Sequence, residues 1–192
     1  MMQSSLIENM AMNPVNFSLL ILAGGKATRM QGQDKGLVLW QGKPLVEHII
    51  GRIRCTDIVI SCNRNHAHYH YYGRTVSDQQ SDFWGPLAGI ASGLAQCQHD
   101  WVLVVACDMP SLPHDIAQRL ANARQTDTQV VIAHDGEHLQ SLCFLARKDL
   151  YLSAQTAISK GQRAVYSWLL ERNHQIVYID DAHAFDNINR LS

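Results

Sequence analysis

An apolar run broken by a single serine, FSLLILA at 17–23, leads straight into a double glycine, and this junction restricts the folds open to the chain. A strand covered on one face alternates apolar and polar residues, whereas a continuous apolar run is expected of a parallel strand buried on both faces. WVLVVA at 101–106 repeats the pattern as the most apolar run of all and predicts the central strand. Helical and extended signals alternate around these two. Leu45, Ile49, Ile50 and Ile53 share one face of a helix with Pro44 at its first position, and DIVIS at 57–61 is the next strand. TVSD at 75–78 reads as a short strand, 87–97 as a small-residue helix, and 115–124 as a helix capped by His114 or Ser111. VVIA at 130–133 and SLCFLA at 141–146 are strands, 149–159 and 162–170 are helices divided by Gly161, and IVYID at 176–180 closes the sheet. Right-handed strand–helix–strand crossovers then predict a three-layer α/β/α sandwich on a mostly parallel sheet, with ligands at the carboxyl ends of the strands.

The 192 residues are 46% hydrophobic and contain no Pro/Gly/Ser-rich linker, so one domain is expected over 16–192, with 1–15 as a frayed tail. A net charge of −1 provides no basic field for nucleic acid. Residues 1–16 hold no Lys or Arg to begin a signal peptide, and FSLLILA is too short for a bilayer, which needs about 20 apolar residues. A soluble cytoplasmic protein with no membrane partner is expected. The five cysteines are odd in number and lack a C-x-x-C pair, which suits reduced thiols.

The segment after the first strand, LAGGKATRMQGQDKG, gathers backbone N–H groups at Gly24 and Gly25 with the cations Lys26, Arg29 and Lys35. Such a cradle suits a triphosphate. It is not a Walker loop, because Ala27 follows Lys26 where Ser or Thr is required. Nor is it a dinucleotide fingerprint, because Gly24 and Gly25 are adjacent and 26–30 contains no glycine.

Other residues carry candidate chemistry beside an ordinary reading. Asp108, between the central strand and Pro110, suits a Mg²⁺ ligand shared with substrate phosphates, or simply a turn start. Lys35, eleven residues after Gly24, can fold back over the same phosphates and neutralise a departing pyrophosphate, or be a solvated lysine. Lys26 and Arg29 read as weaker versions of the same. Asn63 and Asp78 end the second and third strands and can pair with base or ribose edges, or serve as turn residues. Gly85, Gly89 and Gly93 smooth one helix face, either to line a cleft or to pack on the sheet. A serine hydrolase is not supported, since Ser92 lacks the G-x-S-x-G setting. His66, His68 and His70 could converge on a metal if extended, but a polar loop or edge with aromatic filler is preferred. Asn187 and Asn189 would point their amides to one side of an extended segment.

LAGGKATRM, DKG, GPLAG at 85–89, CDMP at 107–110 and NIN at 187–189 follow one another in an order that resembles the molybdenum cofactor guanylyltransferase family. The resemblance implies a Rossmann-like nucleotidyltransferase sheet and transfer of GMP from GTP to molybdenum-bearing molybdopterin, with Mg²⁺ as cofactor and pyrophosphate released. It implies Lys35, Asp108 and Arg29 as catalytic residues, with Asp108 on the metal. It implies nucleotide contacts from Leu22, Ala23, Gly24, Gly25 and Lys35, and guanosine contacts from Asn63 and Asp78. Asn187 and Asn189 fall on the molybdopterin side, and transient contact with other molybdenum cofactor proteins is also implied. Two departures stand out: Gln31 replaces a glycine, and no Thr-Pro-Glu-Glu-like helix start follows Asn189. The residues alone leave the base open, so a CTP or sugar-phosphate enzyme remains the rival, and a GTP-binding cofactor carrier without turnover is the alternative of another class.

Overall fold

The apolar run at 17–23 becomes β1 (Ser18–Leu22), with every residue buried. The computed structural model describes residues 16–24, 34–78, 85–181 and 183–188. After β1 come a 3₁₀ turn at Lys35–Leu37, a small antiparallel hairpin of β2 (Leu39–Trp40) and β3 (Lys43–Pro44), and α1 (Leu45–Arg52). Then follow β4 (Ile58–Ser61), α2 (His66–Tyr69), β5 (Arg74–Val76), α3 (Pro86–Gln96) and β6 (Trp101–Ala106). The remainder is α4 (Ile116–Asn122), β7 (Val130–His134), β8 (Leu139–Arg147), α5 (Leu150–Ser159), α6 (Val165–Leu170) and β9 (His174–Tyr178).

Seven strands form one sheet in the order β5-β4-β1-β6-β8-β7-β9, with β6 at its centre as its apolarity predicts. Four pairings are parallel, and β8 runs antiparallel between β6 and β7. Alternate side chains along each strand supply two cores. Leu19, Ile21, Ile60, Leu103 and Val105 pack under Val46 and Ile49 of α1 and Ile116 and Leu120 of α4. Leu20, Leu22, Val59, Val102 and Val104 face α3, α5 and α6 on the other side. Full burial of each such aliphatic side chain contributes about 1.5–3 kcal/mol, so both faces of the sheet are strongly committed. The expected α/β sandwich is therefore what the chain forms.

Several local expectations are corrected. The histidine run, expected as a polar loop or edge, forms a short helix at His66–Tyr69, entered through Asn65 in the left-handed region at φ 55°. Among the described residues, no group of three His, Cys, Asp or Glu side chains could hold a metal. The residue capping α4 is Asp115, not His114 or Ser111. Pro44 pairs with Leu39 and caps α1 from outside, so the helix starts at Leu45. The last helix is shorter than expected, because 162–164 do not join it. Among the described residues, no helix is long and apolar enough to cross a membrane.

At the amino end of β4 the buried Asp57 carboxylate accepts from Ser18 Oγ (2.5 Å), Arg74 (2.5 Å) and the Gln98 amide (2.8 Å). Burial favours the neutral acid, but these donors outweigh it and hold the carboxyl below its ordinary range. The network ties β1, β4, β5 and the end of α3 together away from the opposite, carboxyl edge.

Candidate active site

Four neighbouring strands, β5, β4, β1 and β6, end side by side at the carboxyl edge. Two residues beyond their ends come Asp78, Asn63, Gly24 and Asp108 in that lateral order. The register places Leu22 opposite Ser61 on one side and Ala106 on the other. Backbone bonds continue past the strands: Ala23 N donates to Ser61 O (2.9 Å), Cys62 N to Val76 O (2.9 Å) and Cys107 N to Leu22 O (3.1 Å). Chain order reverses about β1, since β4 lies to one side and β6 to the other, and open α/β sheets bind ligands at such a switch point.

Lys35 and Asp108, 73 residues apart, meet in an ion pair above this edge. The Asp108 side chain is 13% exposed and that of Lys35 31%. Asn187 turns its amide nitrogen toward Asp108, 3.2 Å from each carboxylate oxygen, the orientation that satisfies both groups. Ile188 N donates to the Asp108 carbonyl at 3.0 Å, so the chain near 187 is bound to the loop after β6 by backbone as well as side chain. Buried Ala184 and Phe185 anchor the same segment to the core.

Asp34, next to Lys35, faces inward. Its carboxylate accepts from Tyr69 (2.5 Å) and Asn65 (3.1 Å), and Arg64 Nε lies at 3.5 Å. Asp34 also precedes the 3₁₀ turn, with Leu37 N donating to its carbonyl at 3.0 Å. A Cβ on Gly36 would collide with the Tyr69 hydroxyl, which explains a glycine in that place.

Asn63 and Asp78 form a reciprocal pair: Asn63 Nδ2 donates to Asp78 Oδ2 (2.9 Å) and Asp78 N donates to Asn63 Oδ1 (3.0 Å). Asp78 Oδ1 is buried with no hydrogen-bond partner among the described residues. An unpaired buried acceptor costs about 1–3 kcal/mol, and an N–H donor of a ligand would recover it. Gly89 approaches this pair from α3, where a Cβ would lie 2.5 Å from Ser61 Oγ and 3.3 Å from Asp78 Oδ1. Gly93, one turn on, packs against Leu20, so the smooth helix face serves the cleft at one end and the sheet at the other.

Burial and the neighbouring Asp34 and Asp78 carboxylates push the Cys62 thiol up to about 12, and burial raises Cys107 further. Both remain protonated at neutral pH and supply no nucleophile. His66 links Cys62 Sγ (3.4 Å) to Ser77 Oγ (3.1 Å), bracing the two strand ends that carry Asn63 and Asp78.

Of the residues picked from sequence, Leu22, Ala23, Gly24, Lys35, Asn63, Asp78, Asp108 and Asn187 lie along one edge. Gly25, Lys26, Arg29, Gln31 and Asn189 fall outside the described residues. Asp34, Asn65 and Tyr69 were given no role by sequence reasoning. The signals available were the acid preceding Lys35 and an asparagine, Asn65, of the type that tolerates left-handed backbone. For a divalent cation the donor set fits: Asp108 offers hard carboxylate oxygens, and Mg²⁺ typically takes one or two carboxylates and completes its shell with substrate phosphates and water.

Comparison with known proteins shows the family and the fold. Residues 19–176 match the family described as MobA-like NTP transferase domain. A molybdenum cofactor guanylyltransferase of Aliivibrio fischeri is 40% identical over 181 residues, 93% of each chain. Its counterpart from Photobacterium profundum is 39% identical over 177 residues, 90% of each chain. The crystal structure of molybdopterin-guanine dinucleotide biosynthesis protein A from Archaeoglobus fulgidus superposes with a TM-score of 0.75 at 20% identity, covering 90% of this chain and 92% of that one, and so shares the fold.

Proposed function

The chain belongs to the MobA-like NTP transferase domain family, and from that premise we propose that it transfers GMP from GTP to molybdenum-bearing molybdopterin, forming the guanine dinucleotide cofactor. The observation that carries this reading is the Lys35–Asp108 pair at the strand edge beside Gly24, which brings a cation and a carboxylate together where β1 and β6 end.

No protein nucleophile is needed. The terminal phosphate of molybdopterin is mostly dianionic at neutral pH, with a second pKa of about 6, and attacks the α-phosphorus of GTP. One P–O bond forms to the attacking oxygen and the bond to the β-phosphate breaks, its electron pair leaving with pyrophosphate. Lys35 shifts from Asp108 toward the β- and γ-phosphates and neutralises charge as it develops there. Gly24 contributes close backbone approach, with Gly25 and Arg29 on the same loop in supporting roles. Asp108 and the triphosphate would hold Mg²⁺, which supplies Lewis-acid stabilisation of the reacting phosphates. Asn63 and Asp78 receive the guanosine, with Asp78 Oδ1, which has no partner among the described residues, accepting from guanine N–H groups. Asn187, held against Asp108, helps to hold molybdopterin, a role that the family resemblance extends to Asn189. The reaction is assigned to one cytoplasmic domain over 16–192, with the product passed to other molybdenum cofactor proteins by transient contact.

Pyrophosphate release measured with GTP, CTP and UTP in the presence of molybdenum-bearing molybdopterin tests the reading. GTP alone should support turnover. Faster release with CTP, or stoichiometric GTP binding without turnover, would refute it.

A further inference from the structure

The side chain that fixes Lys35 over Asp108 lies outside the set of residues expected to touch substrate. Tyr69 is fully buried at the end of α2, and its hydroxyl donates to Asp34 Oδ1 at 2.5 Å. Asp34, itself only 7% exposed, takes its second donor from Asn65, the residue that leads into α2, at Oδ2. The next residue is Lys35, and the one after is Gly36, whose missing side chain admits the Tyr69 ring. A lysine has four rotatable bonds and a flexible ammonium, so its aim is only as good as the backbone beneath it. Burial and the bond to Asp34 raise the phenol above its ordinary range, so it stays a neutral donor throughout the working pH.

We propose that Tyr69 is a positioning residue for the nucleotidyl transfer: through Asp34 it locks the backbone at 34–36 and so holds the Lys35 ammonium against Asp108, where the triphosphate arrives. Tyr69 touches no substrate in this scheme. The proposal rests on the reading of Lys35 as a phosphate contact for its effect on rate, while the positioning itself can be measured without turnover.

The test uses Tyr69→Phe, which keeps the ring and removes the hydroxyl, with Asp34→Asn as a second variant should the first not fold. Native protein is treated with acetic anhydride, and acetylation of Lys35 is quantified by peptide mass spectrometry against Lys43 and Lys148. Lys35 acetylation is expected to rise about fivefold over these references, and kcat for pyrophosphate release to fall about tenfold with a smaller change in KM for GTP, as a misaimed group loses transition-state stabilisation. Added to Lys35→Ala, Tyr69→Phe should cost no further kcat, whereas a merely structural role would add its own loss. Unchanged Lys35 acetylation in both variants overturns the proposal, and so does an unchanged kcat in Tyr69→Phe when Lys35→Ala abolishes turnover. If Lys35→Ala itself leaves turnover intact, the assignment of Lys35 to the phosphates falls, and accelerated acetylation still supports Tyr69 as its support.

Discussion

Replacing Asp108 with Asn keeps the shape of the side chain and removes its charge, which separates its two tasks. For stability, the pair with Lys35 lies between the limiting cases: an exposed pair contributes up to about 1 kcal/mol, and stranding one partner of a buried pair costs about 3–5. With Lys35 nearly one-third exposed and able to turn to water, a loss of about 1–2 kcal/mol is expected. In a chain of this size that lowers Tm by roughly 2–8 °C. For turnover, the proposed metal role implies that removing the carboxylate should cost about 10³-fold in kcat, or about 4 kcal/mol of barrier. The assay is continuous pyrophosphate release at saturating GTP and Mg²⁺, with Tm measured on the same sample. A kcat within about threefold of the parent, less than 1 kcal/mol, would refute the metal assignment, and a Tm loss as large as the barrier change would recast Asp108 as structural.

Three further outcomes follow from other regions. Gly89→Ala pushes a methyl group into Ser61 Oγ and toward Asp78, so KM for GTP should rise about tenfold while kcat changes less, and an unchanged KM would remove Asp78 from the nucleoside site. The depressed carboxyl of Asp57 adds stability that is present above its unfolded value near 3.8 and is lost as pH falls through the lower folded value. Asp57→Asn should therefore cost about 2–3 kcal/mol at neutral pH and flatten the acid limb of a urea-denaturation series within that window, an effect absent if the network is idle. Cys62, Cys97 and Cys143, each pushed up to about 12 chiefly by burial, should resist iodoacetamide in the native protein at pH 8. Half-buried Cys55 should react first, and rapid labelling of Cys62 would contradict a closed β4 edge.

Much of the sheet was legible because burial on both faces leaves a mark no loop can imitate: β6 occupies the six residues its apolar run indicates. The direction of β8 was not. Buried parallel and antiparallel strands both read as continuous apolar runs, and only the connection separates them. The decisive sign was local, Asp135-Gly136 with Gly136 at φ 103°, a hairpin turn too short for any parallel crossover. The histidine run reads as a polar loop or edge, and nothing in its alternation of His with Ala and Tyr announces the single turn of helix that follows Asn65.

Within the site, residues ending strands could be found by counting, because a parallel sheet sends every strand terminus to the same edge and the chemistry-bearing side chains gather there. Supports for those residues obey no such rule. Asp34 looks like one more acid in a charged loop, and its role depends on Tyr69, 35 residues away, whose alternation with histidines resembles surface filler. Asn187 bonds to Asp108 across 79 positions, a contact no local pattern announces. The two cases differ physically. Asn187 meets a group that can itself touch substrate, so its loss should be felt in the chemistry directly. Tyr69 acts on backbone, so its loss should be felt only through Lys35, and a lysine already removed should make the tyrosine silent in kcat.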